Sequence, residues 1–311
     1  MSKGKSIGKR LLQLIPIILG LTFLTFLLMY ITPGDPAVKK LAAQGTAING
    51  EVLEQTREAM GLNRPFLVRY LDWLLGMLRG DFGLSYKDNL PVAAKLVSGL
   101  GNTALLALTS LALSLLVSIP AGIVTAVRKD GILDHVLRLF SFLGNSLPNF
   151  LISVILMYVL CIRMKLLPVI ANRSLKGLCL PCLALAIPMT GRFIRQIRAE
   201  VLEQLGKPYV MGARMRGVRE RDVLFKNVLR SAWVGIFTIV GLSVGTLMGG
   251  SVVIETIFGW PGLGKLAMDA ISDRDYPVIQ GFVVLMAVIY VLVNLLTDLS
   301  YRWIDPRMDG E

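Results

Sequence analysis

From Leu96 to Val127 the chain reads LVSGLGNTALLALTSLALSLLVSIPAGIVTAV, without one charged residue. A bilayer core about 30 Å thick is crossed by about 20 apolar residues in a helix rising 1.5 Å per residue, so this run exceeds one crossing. Leu11–Gly34, Leu139–Ile162, Ser231–Ile254 and Tyr276–Thr297 are uncharged runs of the same kind. Gly177–Gly191 is shorter, contains Pro181 and Pro188, and is closed by Arg192. Proline is tolerated in membrane helices where neighbouring groups satisfy the freed backbone. The pattern predicts an all-α polytopic membrane protein with about six transmembrane helices.

Composition agrees. Of 311 residues, 54% are hydrophobic and 17% charged, against about 25% charged in a soluble domain. The net charge of +12 is explained by the bias of Lys and Arg toward cytoplasmic loops, and nucleic-acid binding is set aside. Lys3, Lys5, Lys9 and Arg10 precede the first run as in a signal peptide. The run is too long, however, and Thr32-Pro33-Gly34-Asp35-Pro36 is a poor cleavage site, so a retained helix is expected. The basic N-terminus and the segment Arg192–Arg230, with ten basic residues against four acids, fall on one side if there are six spans. That side is read as cytoplasmic, which also places the C-terminus there. Arg163, Lys165, Arg173 and Lys176 would then lie outside, against the rule.

Between the spans, residues 35–95 form the largest external segment. Helical patterning runs from Glu51 to Leu78, with a stop and restart at Met60-Gly61-Leu62-Asn63-Arg64-Pro65. Trp73, Leu74, Leu75, Met77 and Leu78 make an amphipathic stretch, and a small external helical subdomain is expected. In the segment 192–230, Gly206-Lys207-Pro208 breaks the chain, and a short helix from Tyr209 is predicted to end at Gly217 before a second helix. Gly212 and Ala213 give it a small-residue patch, and Arg214 and Arg216 could pair with acids on a partner. A basic loop on anionic lipid is the other reading.

Gly241, Gly245 and Gly249 share one face of the fifth span, a helix-packing pattern. Gly259-Trp260-Pro261-Gly262-Leu263-Gly264-Lys265 imitates the start of a phosphate-binding loop. Leu266 stands where Ser or Thr must hold magnesium, so the segment is read as a re-entrant turn. Cys179-Leu-Pro-Cys182 has no second pair, and these two residues, like Cys161, are read as small buried apolar groups. His135, beside Asp134, is read as a solvated loop residue. No nucleophile–base constellation and no cluster of metal ligands is apparent.

Tyr209-Val210-Met211-Gly212-Ala213-Arg214-Met215-Arg216-Gly217-Val218, followed by Val228-Leu229-Arg230-Ser231-Ala232, resembles the cytoplasmic EAA loop of bacterial binding-protein-dependent ABC importer permeases. Met215 and Ser231 depart from the small residue and asparagine usual there. Three further stretches look like the dipeptide/oligopeptide/nickel branch. They are Lys9-Arg10-Leu11 running into Thr32-Pro33-Gly34-Asp35-Pro36-Ala37, Gly80-Asp81-Phe82-Gly83-Leu84-Ser85-Tyr86, and Glu255–Gly264 with Asp273–Gln280 and Asp305-Pro306-Arg307. Together they resemble the first permease subunit of that branch. The resemblance implies the MetI-like fold of type I ABC importers in the bacterial inner membrane. It also implies a second homologous permease, two cytoplasmic ATPases that bind the ATP and magnesium, and an extracytoplasmic substrate-binding protein.

This chain would then be a non-catalytic channel subunit with no cofactor of its own, in contact with membrane lipid. Tyr209, Gly212, Ala213, Arg214 and Gly217 would form its ATPase-coupling loop. Residues 1–98 would hold the first helix and external segment, 99–300 a five-helix permease core, and 301–311 a cytoplasmic tail. Gly34-Asp35-Pro36-Ala37 and the short external segment lean toward nickel or a metal chelate, with small peptides the other cargo. An ion-coupled secondary transporter would need intramembrane acids or histidines, and the six runs contain none.

Overall fold

The computed structural model describes residues 3–304. Side chains are described for residues 15–295, except 244, 246, 248–250 and 294. In chain order the helices are α1 (Lys3–Ile31), α2 (Pro36–Ala43), α3 (Gly50–Ala59), α4 (Phe66–Leu78), α5 (Val92–Val127), α6 (Ile132–Ser146) and α7 (Asn149–Leu156). They continue with α8 (Leu175–Leu205), α9 (Pro208–Met215), α10 (Glu220–Asp222), α11 (Leu229–Phe258), α12 (Leu263–Asp273) and α13 (Tyr276–Ile304). Wider π turns at Met157–Arg163 and Val223–Val228 extend α7 and join α10 to α11. No strand occurs among the described residues. Among the described residues, four helical stretches are long and apolar enough to span a membrane, and up to six if each of two bent helix pairs is one span.

One of those pairs corrects the sequence reading. Leu139–Ile162 is not one straight helix: α6 and α7 meet at 104°. Pro148 lacks an N–H and forces Leu147 out of the helical region, to φ −82° and ψ 132°, which ends α6. Similarly, α1 and α2 bend by 75° across Pro33, Gly34 and Pro36. The fourth span is longer than its uncharged run, because α8 continues through Arg192 as far as Leu205. His135 stands on α6 and not in a loop, with its Nδ1 2.9 Å from the Gly131 carbonyl oxygen.

The chain divides into two compact units. One comprises residues up to Thr103 with Pro261–Leu295. In it, Phe66 and Tyr70 of α4 make edge-to-face contacts with Phe23 and Phe26 of α1, at centroid distances of 5.3–5.7 Å. The Asp35 side chain accepts from the Ala37 N–H to start α2 and pairs with Arg57 of α3 at 2.6 Å, raising the guanidinium above its ordinary pKa. The Asp275 carboxylate accepts from the Ser85 hydroxyl and from the Tyr86 N–H. Beside it, Lys87 and Asp273 pair at 2.6 Å, and that hydrogen bond raises the lysine's pKa.

The segment read as a re-entrant turn is a short turn between α11 and α12. The Leu263 N–H, at the helix N-terminus where a phosphate would bind, donates instead to Thr103 Oγ1 at 2.8 Å.

The other unit comprises Ala104–Trp260 with residues from Leu296. Its centre is α8, whose most apolar stretch is 78% buried, whereas that of Glu220–Ser243 is 28% buried. Among lipid tails helices gain little from apolar burial alone, so close packing through small residues carries more of the association. At Gly191 a β-carbon would lie 2.8 Å from the Ser141 carbonyl oxygen of α6. At Gly122 it would lie 2.7 Å from the Ile197 side chain. Gly191→Leu is therefore expected to cost about 1–3 kcal/mol through overpacking against backbone, read as a lower melting temperature in detergent. Gly212→Leu, where nothing lies within 4 Å of the added carbon, should leave that temperature within about 2 °C of wild type.

Candidate functional site

The residues singled out for coupling gather around α9. Pro208 opens the helix at a position whose N–H would be unpartnered anyway. Lys207, just before it, pairs with Glu203 at 2.9 Å, and that hydrogen bond raises the ammonium pKa. Val210 and Ala213, three residues apart, point inward and are 0% and 1% exposed. They pack in one core with Phe193, Ile197 and Val201 of α8 and with Val223 and Val228 of the π turn. A displacement of α9 therefore bears on the π turn at the root of α11, which in turn packs on α8.

The other face of α9 is open: Met211 is 63% exposed and Met215 80%. Tyr209 is also exposed, its hydroxyl donating to Gln204 Oε1 at 3.1 Å. Gly212 is half-buried, with no neighbour where a β-carbon would stand. Arg214 is engaged within the chain. It donates two hydrogen bonds to the Glu220 carboxylate, at 2.8 and 3.1 Å, and so ties α9 to α10. Arg216 makes no ion pair among the described residues.

Gly217 ends the helix at φ +74°. Its N–H donates to the Arg214 carbonyl and that of Val218 to the Ala213 carbonyl, at 2.9 and 3.2 Å. This paired closure needs a left-handed residue, where glycine carries no side-chain penalty. The second helix expected beyond it is the start of the rod that continues through the π turn into α11.

Of the proposed packing glycines on α11, Gly241 and Gly245 are half-buried and Gly249 lies outside the described side chains. The thiols of Cys161, Cys179 and Cys182 are free. Among the described residues, no three of His, Cys, Asp and Glu converge as metal ligands.

Sequence reasoning missed Asp134, which is fully buried and accepts two hydrogen bonds from Arg198 of α8. Its position in the first turn of an amphipathic helix was the available signal. It also missed Glu255, which lies one residue past the uncharged run but inside α11, fully buried.

Apolar spans together with a short helix that has one locked and one open face define a polytopic membrane protein. Residues 118–310 match the model of the binding-protein-dependent transport system inner membrane component, and residues 5–107 match that family's N-terminal model. The chain belongs to this family and is a permease subunit of a binding-protein-dependent ABC importer, a multi-pass inner-membrane protein. It is 39% identical to the oligopeptide transport system permease AppB of Bacillus subtilis, across 97% of this chain and 98% of that one. It is 35% identical to the metal-staphylopine import permease CntB of Staphylococcus aureus, across 98% of each. It is 36% identical to the nickel import permease NikB of the same species, across 97% of this chain and 91% of that one. A chain of the MetNI methionine ABC transporter, in an inward-facing conformation, shares the fold, with a TM-score of 0.57 at 18% identity over 68% of this chain and 96% of that one.

Proposed function

We propose that this chain pairs with a second homologous permease and draws its energy from cytoplasmic ATPases that dock on the open face of α9. The observation carrying this reading is the split of α9, with Val210 and Ala213 locked in the core and Met211 and Met215 exposed. An exposed methionine pair is adaptable apolar surface suited to a partner's groove. The ATPases bind ATP and magnesium, and an extracytoplasmic binding protein delivers the cargo. Both termini lie in the cytoplasm, with α2–α4 outside. The α9 side also carries the basic excess of residues 192–230.

Changing both Met211 and Met215 to Glu should lower recovery of the ATPase with the purified permease about tenfold, with the melting temperature unchanged. Undiminished recovery would remove α9 as the docking element.

The cargo is a small peptide or a metal chelate. Matched relatives named for oligopeptide, nickel and metal-staphylopine import support both. The absence of a three-ligand cluster among the described residues favours a chelate over a bare ion.

A further inference from the structure

In the first unit a cavity of about 180 Å³ is lined by Arg69 and Trp73 of α4, Tyr86 of the following loop, and Tyr276 and Gln280 of α13. We propose that this cavity binds the carboxylate of a small cargo molecule; the cargo assignment rests on the permease reading above.

The Gln280 side chain is 2% exposed, and its amide nitrogen has no hydrogen-bond partner. The Trp73 indole N–H is likewise buried and unpartnered. Buried donors without partners are rare, and two lining one cavity point to a missing acceptor. Arg69, which lines the same cavity, is half-buried and lies over the Phe26 ring at 5.6 Å. It makes no ion pair with a carboxylate among the described residues.

The nearby acids are occupied. Asp72, on the rim, pairs with Arg64 at 3.1 Å, and Asp275 is held by Ser85 and by the Tyr86 N–H. The Tyr276 hydroxyl is also spent, on the Met29 carbonyl at 3.2 Å. What remains is a fixed positive charge with two neutral donors, the complement of a two-oxygen anion. The volume admits a carboxylate and a few further atoms. An adjoining cavity of about 500 Å³, also lined by Arg69 and Tyr276, has room for the rest of a small molecule. Peptides and carboxylate chelators share this group.

The test uses the full-length chain in nanodiscs of neutral lipid, with the indole N–H signal of Trp73 assigned through Trp73→Phe. Dialanine, dialanine amide, citrate and inorganic phosphate are titrated separately. A saturable shift with dialanine or citrate, and none with the amide, is expected. Binding should weaken about tenfold in Arg69→Gln and in Gln280→Glu, and be kept in Arg69→Lys. Tighter binding of dialanine assigns a peptide carboxylate, and tighter binding of citrate a chelator carboxylate. No saturable shift, an equal shift with the amide, indifference to both variants, or a response to phosphate alone would overturn the proposal. Uptake by the assembled importer is measured in parallel. Uptake without binding removes this site and leaves the permease reading intact, whereas binding without uptake removes the cargo reading and leaves the site.

Discussion

Asp134→Ala is expected to destabilise the protein by about 3–5 kcal/mol, the range for breaking a buried ion pair from one side. Its carboxylate is wholly buried and accepts from Arg198 Nε and Nη2, each at 2.9 Å, and from the Asp130 N–H at 3.0 Å. Arg138 stands 3.4 Å away on the same helix. The alanine would leave Arg198, only 16% exposed, without its counter-charge and would remove the principal polar tie between α6 and α8. Reversible unfolding in detergent measures the loss. Pairing Asp134→Ala with Arg198→Met should recover part of it, since removing both charges ends the desolvation cost. A double variant no more stable than the single one would mean that the packing of the two helices, and not the ion pair, sets the loss.

Gly217→Val is expected to lower uptake per ATP hydrolysed about tenfold or more, while ATPase activity persists. At φ +74° a β-branched residue meets a steric penalty of roughly 1–2 kcal/mol, which the chain relieves by unwinding the last turn of α9. That turn holds Arg214 against Glu220. Its loss would leave α9 able to bind a partner but unable to push on the core through Ala213. Gly217→Asn, a residue that tolerates the left-handed region, should keep coupling near wild type. Reconstituted vesicles with ATPase and uptake assayed together provide the readout. A valine variant that transports normally would show that the closure of α9 is not part of the drive.

Much of this architecture was legible in the sequence because membrane spans and helix stops have local causes. The uncharged runs marked where helices cross, and Met60-Gly61 and Gly217 marked stops that the chain makes with left-handed glycines. The misreadings have physical causes too. A run without charge looks the same straight or bent, so the 104° break at Pro148 was hidden inside an apolar stretch. Charge marks where the bilayer ends and not where a helix ends, so α8 ran on past Arg192 to Leu205. Asp134 went unnoticed because its partner lies 64 residues away. Arg69, Trp73 and Gln280 meet only through folding, and no spacing along the chain announces them.

As a permease subunit of an ABC importer, this chain carries cargo inward under ATP drive. Uptake of labelled dialanine and of radioactive nickel supplied with a chelator tests it most directly. Cells with and without the chain are compared, each with and without metabolic energy. Energy-dependent uptake of at least one cargo is expected to collapse without the chain and to return when the wild-type chain is restored. Unchanged uptake of both cargoes would contradict it.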